Sequence, residues 1–149
     1  YVNPKVICGA LVVWENKVLL CRRAIEPRYG LWTLPAGYME MFETIEQGSA
    51  RETREEAEAE IEIEQLYCMY NIPRIGQIYV LFKAQLLNGQ FGAGEETIES
   101  RLFSEDEIPW SELAFPSVER TLQHYFADRK NNHFTTHLET LGSRTDHTG

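Results

Sequence analysis

Residues 37–59 read GYMEMFETIEQGSARETREEAEA, and six of them, Gly37, Glu43, Arg51, Glu52, Glu55 and Glu56, decide how the chain is read. Thr44-Ile45-Glu46-Gln47 has the form of a capping box, in which a Thr hydroxyl and a Gln three residues later satisfy free backbone donors. A helix is therefore expected from there to about Glu58. At about 100° per residue, Glu52, Glu55 and Glu56 fall within an arc of about 100°, so three carboxylates emerge on one face. Unneutralised, they repel one another. Hard oxygen donors converging in this way suit Mg²⁺ or Mn²⁺, which take carboxylates, water and substrate phosphates. Arg51 is read as pointing elsewhere on the helix, where it can pair with Glu43 and tie the preceding loop to the helix by a charge-assisted hydrogen bond. A Glu-rich helix is ordinarily a solvated face. The outlying Gly37 and Glu43 argue against that reading here, and the apolar side is thin, made of Ile45, Ala50, Thr53 and Ala57.

Outward from this helix the chain is rich in strands. Val6 to Trp14 and Val18 to Arg23, joined by Glu15-Asn16-Lys17, read as a hairpin. Residues 24–38 carry Pro27, Gly30, Pro35 and Gly37 among Tyr29, Trp32 and Tyr38, the pattern of an ordered loop with aromatic anchors. Downstream, Ile61 to Tyr70 reads as a strand broken by Pro73, and Gly76 to Leu87 as another. Residues 88–97 form a Gly-rich turn; it does not lead from a strand into a helix, so it is no nucleotide fingerprint. Ser100 to Phe103 reads as extended, Ser104 to Glu107 as a short turn ended by Pro109, and Val118 to Arg129 has helical period. The division expected is a domain over 1–130 and a polar, mobile tail over 131–149.

At 149 residues the chain has the length of one globular domain, and 43% apolar with 25% charged residues is ordinary for a folded protein. The longest near-continuous apolar run, Val6 to Trp14, is well short of the roughly 20 residues a bilayer-crossing helix needs. No membrane span is expected. The net charge is −9, and Glu40 to Glu64 alone holds ten Glu against two Arg, so the acidity is one segment. Such a segment repels nucleic-acid phosphates, which excludes a plain DNA- or RNA-binding role. Cys8, Cys21 and Cys68 are odd in number and widely spaced, and are read as reduced, buried thiols rather than a disulfide framework or zinc site. His133 and His137 stand at i, i+4, but HFTTH lacks the Glu of a zinc protease. No charged leader with an apolar core precedes the fold, so a cytoplasmic location is expected.

The six residues named first agree in type and spacing with the Nudix box, G-x5-E-x7-R-E-U-x-E-E-x-G-U with U apolar. Thr53 stands where the first apolar residue is usual, and Glu58 where Gly usually ends the helix. The stretches YVNPKVICGALV, VLLCRR, GLWTLPAGYMEM, NIPRIGQIYVLFKAQL and ESRLFSEDEIPW extend the likeness over most of the chain. The chain resembles the Nudix subgroup that includes plant chloroplast FAD pyrophosphohydrolase and bacterial ADP-ribose or NADH pyrophosphatases. Members commonly carry a small cysteine-rich zinc ribbon before the YVNPK-like segment, and a sequence that opens on Tyr1 is consistent with such a part upstream.

The resemblance implies an α/β (α+β) fold, an α/β/α sandwich around a mixed sheet. It implies that Glu52, Glu55 and Glu56, with the Ala36 carbonyl, bind Mg²⁺ or Mn²⁺, and that Glu43 and Arg51 form a structural pair. One more Glu from a downstream loop serves as metal ligand or general base, from Glu95, Glu96 or Glu99, with Glu96 favoured. Arg22 or Arg23 stands where relatives touch substrate phosphates. Trp32, Tyr29 and Tyr38 are candidates to stack on an adenine or isoalloxazine ring, although loop aromatics are more often packing. The implied reaction is hydrolysis of a nucleoside diphosphate linked to another moiety, FAD or ADP-ribose first and NADH third, giving two phosphomonoesters. The alternatives are cleanup of oxidised nucleoside triphosphates and a non-catalytic nucleotide sensor. A small-molecule dinucleotide partner and a homodimer complete the expectation.

Overall fold

A computed structural model of the chain describes residues 3–142. The hairpin forms as expected: β1 (Lys5–Trp14) and β2 (Lys17–Arg23) are joined at Glu15 and Asn16, whose φ values of 50° and 67° give a two-residue turn that matches the twist of the strands. The loop that follows contains two short strands, β3 (Trp32–Thr33) and β4 (Ala36–Tyr38). Helix α1 runs Ile45–Ala57 behind a complete capping box at Thr44, and β5 (Ile61–Ile72), β6 (Gln77–Leu86) and β7 (Thr97–Phe103) follow. Helix α2 (Pro116–Asn131) and β8 (His137–Thr140) complete the order.

The strands form one mixed sheet in the order β3-β2-β1-β6-β5-β8, with β4 added to β1 and β7 to β2. Strand β1 runs parallel to β6, while β2 and β5 are antiparallel to β1 and β6 respectively. Alternate residues of β1 and β2 go to opposite sides. Leu11, Val13, Val18 and Leu20 meet Val118, Leu122, Tyr125 and Phe126 of α2. Ala10, Val12, Leu19 and Cys21 meet Ala57 at the end of α1 and Ala59 just beyond it. A sheet covered on both faces needs apolar residues at every position, which is why Val6 to Trp14 is a continuous apolar run. This is the expected α+β sandwich. The three cysteines are buried and free.

Two departures from expectation stand out. Residues 137–140, read from sequence as part of a mobile tail, instead form β8, parallel to β5 from Cys68 to Asn71. The polar side chains of this strand find partners on α2: His137 Nε2 lies 2.7 Å from Asp128, and His124 Nε2 lies 2.7 Å from Glu139, whose other oxygen accepts from Arg120. The rest of the expected tail, 143–149, lies outside the described residues. On α1, Ile45 and Ala50 are only half-buried, and Gly48, Ser49, Glu52, Thr53 and Ala57 form the inward side.

Candidate active site

The site arises from how β1 shares one edge. Strand β2 pairs with it at Val13 and Trp14, then diverges, and β4 takes its place opposite Ile7, Cys8 and Gly9. A cavity of about 590 Å³ opens here, lined by Glu52, Glu55 and Glu56 of α1, Ala36 and Tyr38 of β4, Arg23 and Glu96. That volume is typical of a small-molecule site.

Helix α1 is fixed at both ends. Thr53, the polar departure in its core-facing row, is fully buried and donates to the Ser49 carbonyl at 2.8 Å, which satisfies its hydroxyl inside the helix. Glu58 adopts the left-handed conformation itself, with φ of 49°, and its N–H returns to the Arg54 carbonyl, so the helix ends where a glycine would have ended it. The Gly-rich loop then supplies the donors for that end: Gly94 N–H bonds the Glu56 carbonyl at 3.1 Å, and Gly92 N–H bonds the Ala57 carbonyl. At Gly94 the backbone passes so close that a Cβ would run into the Glu55 carbonyl. This contact sets the course of the chain two residues before Glu96.

Glu43 and Arg51 pair as expected, in a two-point fork with Nε to Oε2 at 3.0 Å and Nη2 to Oε1 at 2.8 Å. Together with the Glu40 N–H, the Arg51 guanidinium draws the Glu43 carboxyl down to about 2. The expectation that Arg51 points away from the acidic face is corrected: Nη1 also reaches Glu52 at 2.9 Å and Glu55 at 3.2 Å, and Nη2 donates to the Tyr38 carbonyl. One guanidinium thus joins the loop, β4 and two of the three helix carboxylates.

Glu52 is 9% exposed and its carboxyl faces that of Glu56 within hydrogen-bonding reach. Burial raises the pKa of Glu52 despite Glu56 and Arg51, and burial together with the Glu52 charge raises that of Glu56 well above the carboxylate range. The Ala36 backbone N–H partly offsets this at Glu56. Gly37 makes room for the arrangement, because a Cβ there would land on the Glu52 carboxylate. Among the described residues no three carboxylate, thiol or imidazole side chains stand ready to hold an ion by themselves. Two crowded carboxylates with a third beside them and a backbone carbonyl nearby nevertheless form an all-oxygen donor set. It fits a hard divalent cation that keeps waters and substrate oxygens in its shell.

Of the three downstream candidates, Glu96 lines the cavity. Glu99 is the cross-strand partner of Arg22, with its carboxylate 3.8 Å from that guanidinium. Alternation along β2 likewise separates the two arginines: Cys21 and Arg23 line the cavity, whereas Arg22 does not and donates to the Gly30 carbonyl. Trp32 is corrected as a ring-binding residue. It is 4% exposed, packs edge-on against Phe103 at 4.9 Å, and belongs to the core. Tyr38 does line the cavity; Tyr29 does not. Unforeseen in the sequence are Ile7, Gln77, Tyr79 and Phe115, which also line the cavity. A polar Gln77 ahead of the apolar run Ile78 to Phe82 was the one available signal.

Residues 4–126 match the model of the NUDIX domain family. The chain is 30% identical over 119 residues to the ADP-ribose pyrophosphatase of Methanocaldococcus jannaschii, covering 77% of this chain and 69% of that one. It is 32% identical over 110 residues to the NAD-capped RNA hydrolase NudC of Pseudomonas aeruginosa, covering 72% of this chain and 38% of that one. The crystal structure of a NUDIX hydrolase from Nitrosomonas europaea superposes with a TM-score of 0.93 at 51% identity, over 96% of this chain and 81% of that one. The carboxylate helix, its arginine fork and the family match lead to one assignment: the chain belongs to the Nudix family and is a pyrophosphohydrolase acting on phosphorus-containing anhydrides.

Proposed function

We propose that this Nudix hydrolase cleaves the diphosphate of a nucleoside diphosphate joined to a second moiety, with ADP-ribose and FAD as leading substrates and NADH third. The observation that carries the reading is the pairing, in one cavity, of the Glu52–Glu55–Glu56 face with a wall containing Tyr38, Tyr79 and Phe115. ADP-ribose is the substrate named for the M. jannaschii relative. Glu52, Glu55 and Glu56, with the Ala36 carbonyl, would hold Mg²⁺ or Mn²⁺, which supplies neutralisation of the diphosphate and of the leaving phosphate. Arg51 keeps the carboxylates in register, and Glu43 holds Arg51. Arg23 presents its guanidinium to a substrate phosphate. Glu96 orients the attacking water and accepts its proton. The products are AMP with ribose 5-phosphate, or AMP with FMN. A homodimer in the cytoplasm is the setting proposed for it.

A product assay with Mg²⁺ across ADP-ribose, FAD, NADH and 8-oxo-dGTP tests this, with products separated by chromatography. AMP from a dinucleotide substrate is the expected result. Pyrophosphate from 8-oxo-dGTP alone would replace the reading with triphosphate cleanup, and binding without turnover would make the domain a sensor.

A further inference from the structure

Where β7 passes the cavity, its pairing with β2 is broken by a bulge. Cys21 of β2 lines the cavity and lies opposite Ser100, whose hydroxyl approaches the Cys21 sulfur at 3.6 Å. Regular pairing would then set Arg23 opposite Ile98. The register instead shifts between Arg22 and Arg23, so that Arg23 faces Thr97 and Ile98 drops out of the pairing, 40% exposed. A hydroxyl thereby takes the place at the cavity wall that alternation assigns to an isoleucine. We propose that the Thr97 hydroxyl, beside the Arg23 guanidinium, donates to an oxygen of the phosphoryl group that water attacks at Glu96. The inference rests on the proposed hydrolysis with Glu96 as its base, and adds a protein donor to the phosphoryl group under attack.

Thr97 is 8% exposed and lines the cavity. Its hydroxyl makes no hydrogen bond among the described residues. Nor is the oxygen sealed in, because among the described residues only the Ser49 hydroxyl is both fully enclosed and unpartnered. The opening left to the Thr97 hydroxyl is therefore the cavity it lines. A polar group held in so buried a residue costs stability unless something in the cavity bonds to it.

Arg23 is fastened at one side of its guanidinium and open at the other. Its Nε donates to the Pro27 carbonyl at 2.9 Å and its guanidinium lies 5.1 Å from the Phe115 ring, while Nη1 and Nη2 make no hydrogen bond among the described residues. Its charge reaches Glu56, whose ionised form it favours. Neighbouring residues of a strand point to opposite faces, yet Glu96 and Thr97 both line the cavity. The chain turns just before β7, where the Thr97 N–H returns to the Gly94 carbonyl at 3.1 Å. The Ala24 N–H, next after Arg23, bonds the Glu96 carbonyl at 2.9 Å, so guanidinium, hydroxyl and carboxylate rest on backbones tied to one another. A phosphoryl group under attack spreads charge over its outer oxygens, and donors fixed beside the base stand where that charge develops.

The test compares Thr97→Val, which keeps the shape and branching without the hydroxyl, with Thr97→Ser, which keeps the hydroxyl. Each is measured beside the wild type for binding of inorganic phosphate in Mg²⁺ by phosphorus NMR, for kinetics on ADP-ribose, FAD and NADH, and for melting temperature without ligand. Thr97→Val is expected to weaken phosphate binding about threefold or more and to lower kcat/KM about ten- to hundredfold, the range for one hydrogen bond to a charged group. Its melting temperature should hold or rise, because a hydroxyl without a protein partner is removed. Thr97→Ser should stay within about threefold of the wild type in binding and rate. Thr97→Ala is read in the same way where Thr97→Val fails to fold. Phosphate binding in Thr97→Val equal to that of the wild type overturns the proposal. Thr97→Ser falling as far as Thr97→Val overturns it too, since the methyl group would then be what counts. Weakened phosphate binding in Thr97→Val, rescued in Thr97→Ser, with no turnover of the three substrates by the wild type would remove the reading of the reaction and leave the phosphoryl contact standing.

Discussion

Glu56 shows how a single side chain is set between stability and use. It is enclosed beside Glu52, and two carboxyls this close cannot both ionise without cost. Glu56→Gln is therefore expected to hold or raise the melting temperature of the metal-free protein while cutting turnover by at least about a hundredfold. A variant of normal activity and unchanged metal dependence would remove Glu56 from the catalytic set. Glu43 has the opposite character, its carboxyl held from 4.5 down to about 2 by the Arg51 fork and the Glu40 N–H. A carboxylate whose folded pKa is depressed adds stability in full above its unfolded pKa and loses it as pH falls through the folded one. The melting temperature of the wild type should exceed that of Glu43→Gln at neutral pH, and the difference should close between about pH 4.5 and 2. A difference independent of pH would mean the fork acts by packing alone.

At the scale of elements, α1 is held by its ends more than by its core face. Glu58 takes a left-handed conformation that costs a side chain roughly 1 kcal/mol relative to glycine, so Glu58→Gly should stabilise the protein by up to about that amount in denaturant unfolding. Destabilisation would show that the Glu58 side chain against Gly92 contributes more than the strain removes. The loop 88–96 is bound to the helix end through Gly92 and Gly94, and through it Glu96 is placed. Gly94→Ala forces a Cβ against the Glu55 carbonyl and should lower both stability and kcat, because the loop must retreat and take Glu96 with it. Loss of stability with kcat intact would separate Glu96 from the loop's anchorage.

In the whole molecule, the last strand connects the far edge of the sheet to α2. Asp128 accepts from the Tyr67 hydroxyl at 2.6 Å and contacts His137 at 2.7 Å, and the His137 ring stacks on His124 at 3.8 Å. Asp128→Ala leaves the Tyr67 hydroxyl and the His137 ring without their partner and should cost about 2 kcal/mol of folding stability. Hydrogen exchange should show the loss concentrated in 137–140, with the cavity, which none of these residues lines, keeping its activity. Uniform loss of protection would mean that β8 is part of the global folding unit rather than a strand that opens by itself.

The local features of this protein were legible in its sequence because their causes are local. The capping box at Thr44, the i, i+3 and i+4 spacing of Glu52, Glu55 and Glu56, and a tight turn within Glu15-Asn16-Lys17 follow from the chain within a few residues. The apolar run of β1 was likewise legible as a strand, though not as one covered on both sides. Three things depended on pairings between distant segments and were not legible. Residues 137–140 looked like a polar tail because their partners, Asp128, His124 and Arg120, lie on a helix that must first pack against the sheet. Trp32 looked like a ring-binding aromatic because nothing near it in sequence reveals Phe103 against it. Gln77, Tyr79 and Phe115 join Tyr38 only because β4 displaces β2 along the edge of β1 and opens the cavity there. The sequence by itself determined the acidic helix and hence the class of chemistry; the tertiary structure decided what stands opposite that helix, because cross-strand register and the splitting of a sheet edge are properties of the assembled fold.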